Sequence, residues 1–227
     1  MHNDGQAAAP APMHRTGTTR TTSTTMNFEN TALVLVDPYN DFLSRRGQAW
    51  MMLRNVALSN GMIGKARSIL EAARERRMTV AYAPHHRWRP AGLTGRKYLH
   101  PTQFMQERSH IFAAGRFGGK FLPELAPVDG DIISSEHLCS SGFAGTNLHH
   151  QLQARGITHL VIIGLVTNSC IEATARSAVD LGYHVTLVTD AVAAFAPIEH
   201  DLAIRENYPR IGHRVTDTSS LLESMRA

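Results

Sequence analysis

The stretch from Leu160 to Leu181, LVIIGLVTNSCIEATARSAVDL, carries the clearest signature of the fold. Its first four residues are apolar and mostly β-branched, as expected of a strand that is covered on both faces. A short turn, Gly164–Cys170, follows, and Ser169–Leu181 reads as a helix. The stretch therefore predicts a buried strand that turns directly into a helix, with a cysteine at the turn.

The same alternation of strands and helices continues on both sides of this stretch. Predicted strands are Leu160–Ile163 itself, Thr31–Val36, Thr79–Ala83, Asp131–Ser134, His184–Thr189 and a short one near Arg214–Thr216. Predicted helices are Asn60–Arg77, a short one near Pro101–Glu107, one capped by Thr146 that ends near Gly156, Ser169–Leu181, Ile198–Glu206 and Ser219–Met225. Strands separated by helices require right-handed crossovers, so we expect an α/β fold: a doubly wound, mostly parallel sheet in three layers, with helices on both faces.

Residues 1–26 differ from the rest of the chain, because they contain no aromatic residue and almost no large aliphatic one. Such a composition cannot offset the entropy cost of ordering, so we expect a flexible tail. A partner-binding arm is the alternative. Residues 27–227 are predicted to form a single domain.

Composition excludes several classes of protein. The 227 residues include 23 basic and 19 acidic ones, and the basic residues are scattered, so no nucleic-acid partner is expected. No segment approaches the roughly 18–20 apolar residues of a membrane span. The N-terminus lacks the apolar core of a signal peptide. The two cysteines build no disulfide framework, so a cytoplasmic location with reduced thiols is expected.

Three polar stretches follow three predicted strands. They are Asp37 after the first strand, Glu136 and His137 after the third, and the turn that ends at Cys170 after the fourth. In open parallel sheets, functional groups gather at the carboxyl ends of the strands. The sequence therefore predicts a site at that edge of the sheet.

Cys170 is the candidate nucleophile. A thiol at a helix N-terminus is expected to have a lowered pKa, and the nearby backbone N–H groups could bind an oxyanion. A small buried apolar residue is the alternative. Asp37 could take the thiol proton and return it to a leaving amine. The competing carboxylate, Asp41, is better interpreted as a turn or cap residue.

Three motifs resemble those of the isochorismatase-like cysteine hydrolases. They are Val36–Phe42 (VDPYNDF), Ser141–Leu148 (SGFAGTNL) and Gly164–Glu172 (GLVTNSCIE), and the match covers about residues 28–215. The resemblance implies a doubly wound parallel sheet, an Asp–Lys–Cys triad and a homo-oligomer, for which a dimer or tetramer is expected. It also implies a non-proline cis peptide between Leu165 and Val166, with the N–H groups of Val166 and Cys170 as the oxyanion hole.

The family lysine is missing at its usual place after the third strand. Counting back from Phe143 puts His137 there, beside Glu136, and this Glu-His pair resembles that of one branch of the family. An imidazolium at His137 could hold the thiolate as a lysine would. Alternatively, Glu136 points into the site, or both residues merely cap the strand. Lys97 or Lys120 reaching in from the long 84–130 segment is a further, less favoured alternative.

The residues after the second strand, His85-His86-Arg87-Trp88, lie at the same predicted edge. Substrate contact by His85, His86 and Trp88 is favoured over metal binding, because no aspartate stands beside the pair and zinc needs three well-spaced ligands. Phe42 and Phe143 could wall the pocket, although ordinary core packing explains each aromatic residue equally well. No metal and no cofactor are expected.

Family members that keep the cysteine are amidohydrolases, so the resemblance favours hydrolysis of an amide- or ureido-type C–N bond of a small molecule. A thioester acyl-enzyme on Cys170 would be the intermediate. Two alternatives stay open: a vinyl-ether hydrolase that uses Asp37 as an acid, and a non-catalytic protein that binds a small ligand. Cys139 is expected to be a buried spectator, although it could form a disulfide with Cys170.

Overall fold

A six-stranded parallel sheet forms the centre of the computed structural model, which describes residues 27–226. Its strands are β1 (Thr31–Val36), β2 (Thr79–Ala83), β3 (Ile132–Ile133), β4 (His159–Leu165), β5 (His184–Ala193) and β6 (Arg214–Thr216). They pair in the order β3-β2-β1-β4-β5-β6, and every pair is parallel. The predicted fold class is confirmed. The strand order reverses between β1 and β4, where open sheets of this kind bind their ligands.

Nine α-helices connect and cover the described strands. They are α1 (Asn40–Leu43), α2 (Trp50–Ser59), α3 (Met62–Glu75), α4 (Pro101–Ser109), α5 (Leu148–Gln153), α6 (Glu172–Asp180), α7 (Pro197–Leu202), α8 (Tyr208–Ile211) and α9 (Thr218–Arg226). Two π-helical turns, Thr167–Ile171 and Ala203–Asn207, lead into α6 and α8. A membrane-spanning helix is not found between residues 27 and 226.

The two faces of the sheet carry two separate apolar cores. In β1, Leu33 and Leu35 point into the core that contains α2, α3 and α9, whereas Val34 and Val36 point into the core that contains α5, α6 and α8. All six residues of β1 are buried. This burial on both faces explains why the strand has a continuous apolar run rather than an alternating pattern.

Several boundaries differ from the sequence prediction. Helices α1 and α2 were not predicted. Helix α2 exposes Met51, Met52 and Leu58, so its sequence lacks a clean polar face. The helix after Thr146 begins at Leu148, with the Thr146 hydroxyl accepting the Leu148 N–H at 3.3 Å. The predicted tail, residues 1–26, lies outside the described residues.

Candidate active site

The carboxyl edge of the sheet brings four predicted stretches together. Asp37 follows β1 directly, His85 follows β2, His137 follows β3, and Cys170 lies in the π-helical turn after β4. His85 and His137 pair as an isolated parallel bridge, which extends the sheet past the strand ends. The backbone of Asp37 has a positive φ of 55°, which an aspartate tolerates better than most residues.

Asp37, His137 and Cys170 form a buried cluster. His137 Nε2 lies 2.9 Å from Asp37 Oδ1, and one carboxylate oxygen, one imidazole nitrogen and the sulfur all lie within 4.8 Å of one another. Asp37 and His137 are 0% and 1% exposed, and Cys170 is 6% exposed. Within residues 27–226, Asp37 Oδ2 and His137 Nδ1 have no hydrogen-bond partner. Neither atom is therefore committed to another hydrogen bond in this part of the chain.

The turn that carries Cys170 is held by backbone hydrogen bonds. The amides of Ser169 and Ile171 donate to the Val166 carbonyl at 3.0 and 3.2 Å. The expected non-proline cis peptide is present between Leu165 and Val166. The glycine before it, Gly164, is required, since a Cβ there would lie 2.1 Å from the Val36 carbonyl oxygen. The close approach of β4 to β1 therefore fixes where the turn begins.

Burial raises the pKa of the Cys170 thiol well above its ordinary value, and the charge of Asp37 and a hydrogen bond to it raise the pKa further. This direction is opposite to the one expected from the helix N-terminus. Desolvation disfavours the thiolate more strongly here than the N–H groups of the turn favour it. The surroundings of Cys170 therefore favour the protonated thiol over the thiolate.

Glu136 points away from this cluster. Its carboxylate accepts hydrogen bonds from Arg87 at 2.8 Å and from Arg89 at 2.8 and 3.0 Å, and the Arg87 backbone amide also donates to it. His86 Nδ1 lies 3.5 Å from the same carboxylate. These donors hold the pKa of Glu136 far below its usual range, although its partial burial acts in the opposite direction. The carboxylate links the loop after β3 to the loop after β2.

A cavity of about 410 Å³ opens above Cys170. It is lined by Phe42, Gln48, Ala49, Met52, His85, Pro101, Thr102, Met105, Gln106, Ser109, Ile111, Phe112, Cys139, Val166, Ser169, Cys170 and Phe195. Two of the predicted substrate contacts, Phe42 and His85, are in this set, as are both predicted oxyanion residues.

The other predicted contacts lie elsewhere. Trp88 stacks on His110, with ring centroids 3.8 Å apart. Phe143 packs on Tyr183, with ring centroids 5.8 Å apart, in the core that contains α5, α6 and α8. Neither residue lines the cavity, and neither does His86.

The matching family model is the isochorismatase domain, which covers residues 31–220. The chain belongs to the isochorismatase family. An uncharacterized isochorismatase family protein, YwoC of Bacillus subtilis, is 39% identical over 47% of this chain, which spans only 56% of that relative. The ureidoacrylate amidohydrolase RutB of Stutzerimonas stutzeri is 32% identical over 76% of this chain and 73% of its own length. A solved N-carbamoylsarcosine amidase from Thermoplasma acidophilum is 29% identical, with a TM-score of 0.59, over 83% of this chain and 96% of its own.

His137, which the sequence predicted at the usual lysine position of this family, lies in the cluster with Asp37 and Cys170, and neither Lys97 nor Lys120 lines the cavity. Asp41, which the sequence suggested to be a turn or cap residue, lies within α1 and caps no described helix; its carboxylate accepts the amides of Gln48 at 3.0 Å and Phe112 at 2.7 Å and so ties these two loops together.

Helix α4 supplies five residues of the cavity wall and α2 supplies Met52, and sequence reasoning missed both contributions. The signal for this was a pair of exposed methionines, Met52 and Met105, on these two helices.

Asp37, His137 and Cys170 are also ligand types that zinc uses, and three protein ligands with an open fourth position are typical of catalytic zinc. A bound ion would take the sulfur as a ligand.

Proposed function

We propose that this chain hydrolyses an amide- or ureido-type C–N bond of a small molecule through a thioester on Cys170. The observation that carries the proposal is the buried Asp37–His137–Cys170 cluster beside a cavity of substrate size. The activities named for the RutB relative and for the N-carbamoylsarcosine amidase support the same class of bond.

In the first half of the proposed reaction, Cys170 Sγ attacks the carbonyl carbon while Asp37 takes the thiol proton. The raised thiol pKa makes this transfer part of the attack rather than a step before it. The N–H groups of Val166 and Cys170 stabilise the tetrahedral oxyanion. The C–N bond then breaks, and Asp37 gives the proton to the leaving nitrogen.

In the second half, water attacks the thioester carbon, and Asp37 accepts a proton from that water. The C–S bond breaks, the acid product leaves, and the proton returns to the sulfur. One base thus serves both halves, which requires that one oxygen of its carboxylate stays free. Oδ2 of Asp37 fits this role, because Oδ1 is the atom next to His137 Nε2.

We assign His137 to the position of the family lysine, as a residue that holds Asp37. The alternative, Glu136 as the acting group, is disfavoured by its hydrogen bonds to Arg87 and Arg89. The Glu-His pair then has two roles: His137 orients the base, and Glu136 holds the two loops together.

The test is ammonia or amine release from a set of primary amides, N-carbamoyl compounds and alkylureas, with intact-protein mass spectrometry of the quenched reaction. An acyl adduct that maps to Cys170 and is absent from Cys170→Ala supports the proposal. If Cys170→Ala keeps full activity on isochorismate, the chain is a vinyl-ether hydrolase. If ligands bind but no turnover occurs, it is a binding protein. Loss of activity with EDTA and recovery with Zn²⁺ would make the cluster a metal site instead.

The cytoplasmic location, the single domain over residues 27–227 and the homo-oligomer also remain proposals. Light scattering coupled to size exclusion tests the dimer or tetramer directly.

A further inference from the structure

The wall of the cavity above Cys170 is uncharged and mostly apolar. None of the residues that line it within the described chain is an arginine, lysine, aspartate or glutamate. Its walls are mainly Phe42, Met52, Met105, Phe112 and Phe195. Burial also lowers the pKa of His85, so its imidazole is uncharged at neutral pH.

Most polar side chains in the wall are already bonded within the protein. The Gln106 amide nitrogen donates to the carbonyls of His86 and Ile111. The Thr102 hydroxyl lies 2.9 Å from His100 Nδ1, and the Ser109 hydroxyl donates to the Met105 carbonyl at 2.8 Å. Gln106 Oε1 has no hydrogen-bond partner within residues 27–226 and could accept an N–H group of a substrate. The wall therefore offers uncharged polar contacts and no cationic one.

The arginines that follow β2 are not available either. Arg87 and Arg89 both donate to Glu136, and Arg87 also lies 4.9 Å from the centre of the Tyr39 ring. A substrate carboxylate placed in the cavity would lose its hydration without gaining a cationic partner, which is strongly unfavourable.

We propose that the substrate is an uncharged amide or urea whose apolar group fills the cavity, rather than a carboxylate-bearing one. This rests on the proposed C–N hydrolysis and adds the substrate class. A volume of about 410 Å³ has room for a short aliphatic chain or one ring beside the reacting group. The preference comes from the uncharged wall around Cys170, to which α4 contributes five residues and α2 contributes Met52.

Two matched pairs of probes test this, in which a terminal methyl is exchanged for a carboxylate. They are propylurea with 3-ureidopropionate and 4-methylbenzamide with 4-carboxybenzamide. Each is measured for ammonia or amine release and for protection of Cys170 against alkylation by iodoacetamide, in a Cys139→Ser background. We expect the neutral member of each pair to protect Cys170 at a concentration at least about 100-fold lower than the acid does. Its kcat/KM is expected to be at least about 100-fold higher than that of the acid.

The two measurements separate this inference from the proposed function. Protection by neutral probes without any product release contradicts the proposed hydrolase function but supports the preference of the cavity for uncharged ligands. Turnover or protection by the acids that equals or exceeds that of the neutral probes overturns the preference, whatever the reaction. Absence of protection by any probe overturns it as well.

A designed cation supplies a second test. Met105 lines the cavity and is 61% exposed, whereas the neighbouring Phe104 is 53% exposed and lies outside the lining. Met105→Lys is expected to raise the kcat/KM for the acid probe relative to that for the neutral probe by at least about 10-fold. Phe104→Lys is expected to leave this ratio of kcat/KM values unchanged. Equal shifts in both variants would mean that long-range charge, and not the cavity wall, sets the preference.

Discussion

His137 Nε2 lies 2.9 Å from Oδ1 of Asp37, although 100 residues separate the two in the chain. Both side chains are buried, so this contact fixes the orientation of the Asp37 carboxylate. Among residues 27–226, the second oxygen of Asp37 has no hydrogen-bond partner, and the carboxylate lies in one cluster with the Cys170 thiol.

Replacing His137 with alanine should lower kcat about 100-fold, because a carboxylate that rotates out of line loses its reach to the thiol. KM should change little, since His137 does not line the cavity. Steady-state kinetics on the best substrate checks this split. His137→Lys, which restores the usual family residue, should recover part of the loss. A rise in KM with unchanged kcat would assign His137 to substrate binding instead.

Cys170→Ala should reduce kcat/KM by at least about 10³-fold while the circular dichroism spectrum is retained. Cys139→Ala is the matched comparison, because both thiols line the cavity but only Cys170 belongs to the cluster with Asp37 and His137. We expect Cys139→Ala to stay within about 10-fold of the parent. Equal losses in the two variants would remove the nucleophile assignment.

Asp37→Asn should have opposite effects on catalysis and on the rate at which the Cys170 thiol is alkylated. Catalysis should fall by about 10²–10⁴-fold, because the base is gone. The thiol pKa should fall too, since the negative charge of Asp37 is one of the causes that raise it. Iodoacetamide should therefore alkylate Cys170 faster at pH 8 in the variant than in the parent, both in the Cys139→Ser background. Slower alkylation in the variant would mean that Asp37 already generates the thiolate in the free enzyme.

Glu136→Gln should weaken stability more than catalysis. The substitution removes the charge that binds Arg87 and Arg89, and a loss of about 1–3 kcal/mol in the free energy of unfolding is expected. The kcat should stay within about 10-fold of the parent, because Glu136 does not join the cluster around Cys170. Urea unfolding and steady-state kinetics measure the two effects. A loss of activity as large as that of Cys170→Ala would make Glu136 the acting group after all.

A histidine stack at the other end of the sheet should make folding sensitive to acid. His184 lies between His159 and His213 with ring centroids 4.8 Å apart on each side. Burial lowers the pKa of His184, and the two neighbouring imidazoles lower it further. The unfolded chain therefore binds protons more readily than the folded one just below about pH 6.5, and stability should fall as the pH drops from there toward the folded-state pKa.

Urea unfolding between pH 8 and pH 5 tests this, with His184→Gln expected to flatten the slope of stability against pH. The exposed His150 provides the control, since His150→Gln should leave the slope unchanged. His85 and His200 also have lowered pKa values and contribute to the parent slope, so the comparison is between variants. Parallel curves for His184→Gln and the parent would contradict the role of the stack.

Much of the fold was readable from local patterns. Three of the six strands, β1, β2 and β6, have the predicted boundaries, because each is bounded by a turn or a change in apolar pattern. Helix α2 was missed, since its exposed side chains include two methionines, of which Met52 lines the cavity. Met52 lines the cavity together with residues of α4, which lies about fifty residues further along the chain.

The sequence by itself determined the parallel sheet and the edge at which chemistry gathers. Alternating strands and helices leave little choice of topology, and the first polar residue after a buried strand must lie at its carboxyl end. Tertiary structure decided which of two adjacent residues, Glu136 or His137, faces Cys170. Neighbours along an extended chain point to opposite sides, and the distant partners Arg87, Arg89 and Asp37 select between those sides. It also decided the protonation of Cys170 and the neutrality of the cavity, because desolvation depends on everything packed around a group and not on the residues beside it.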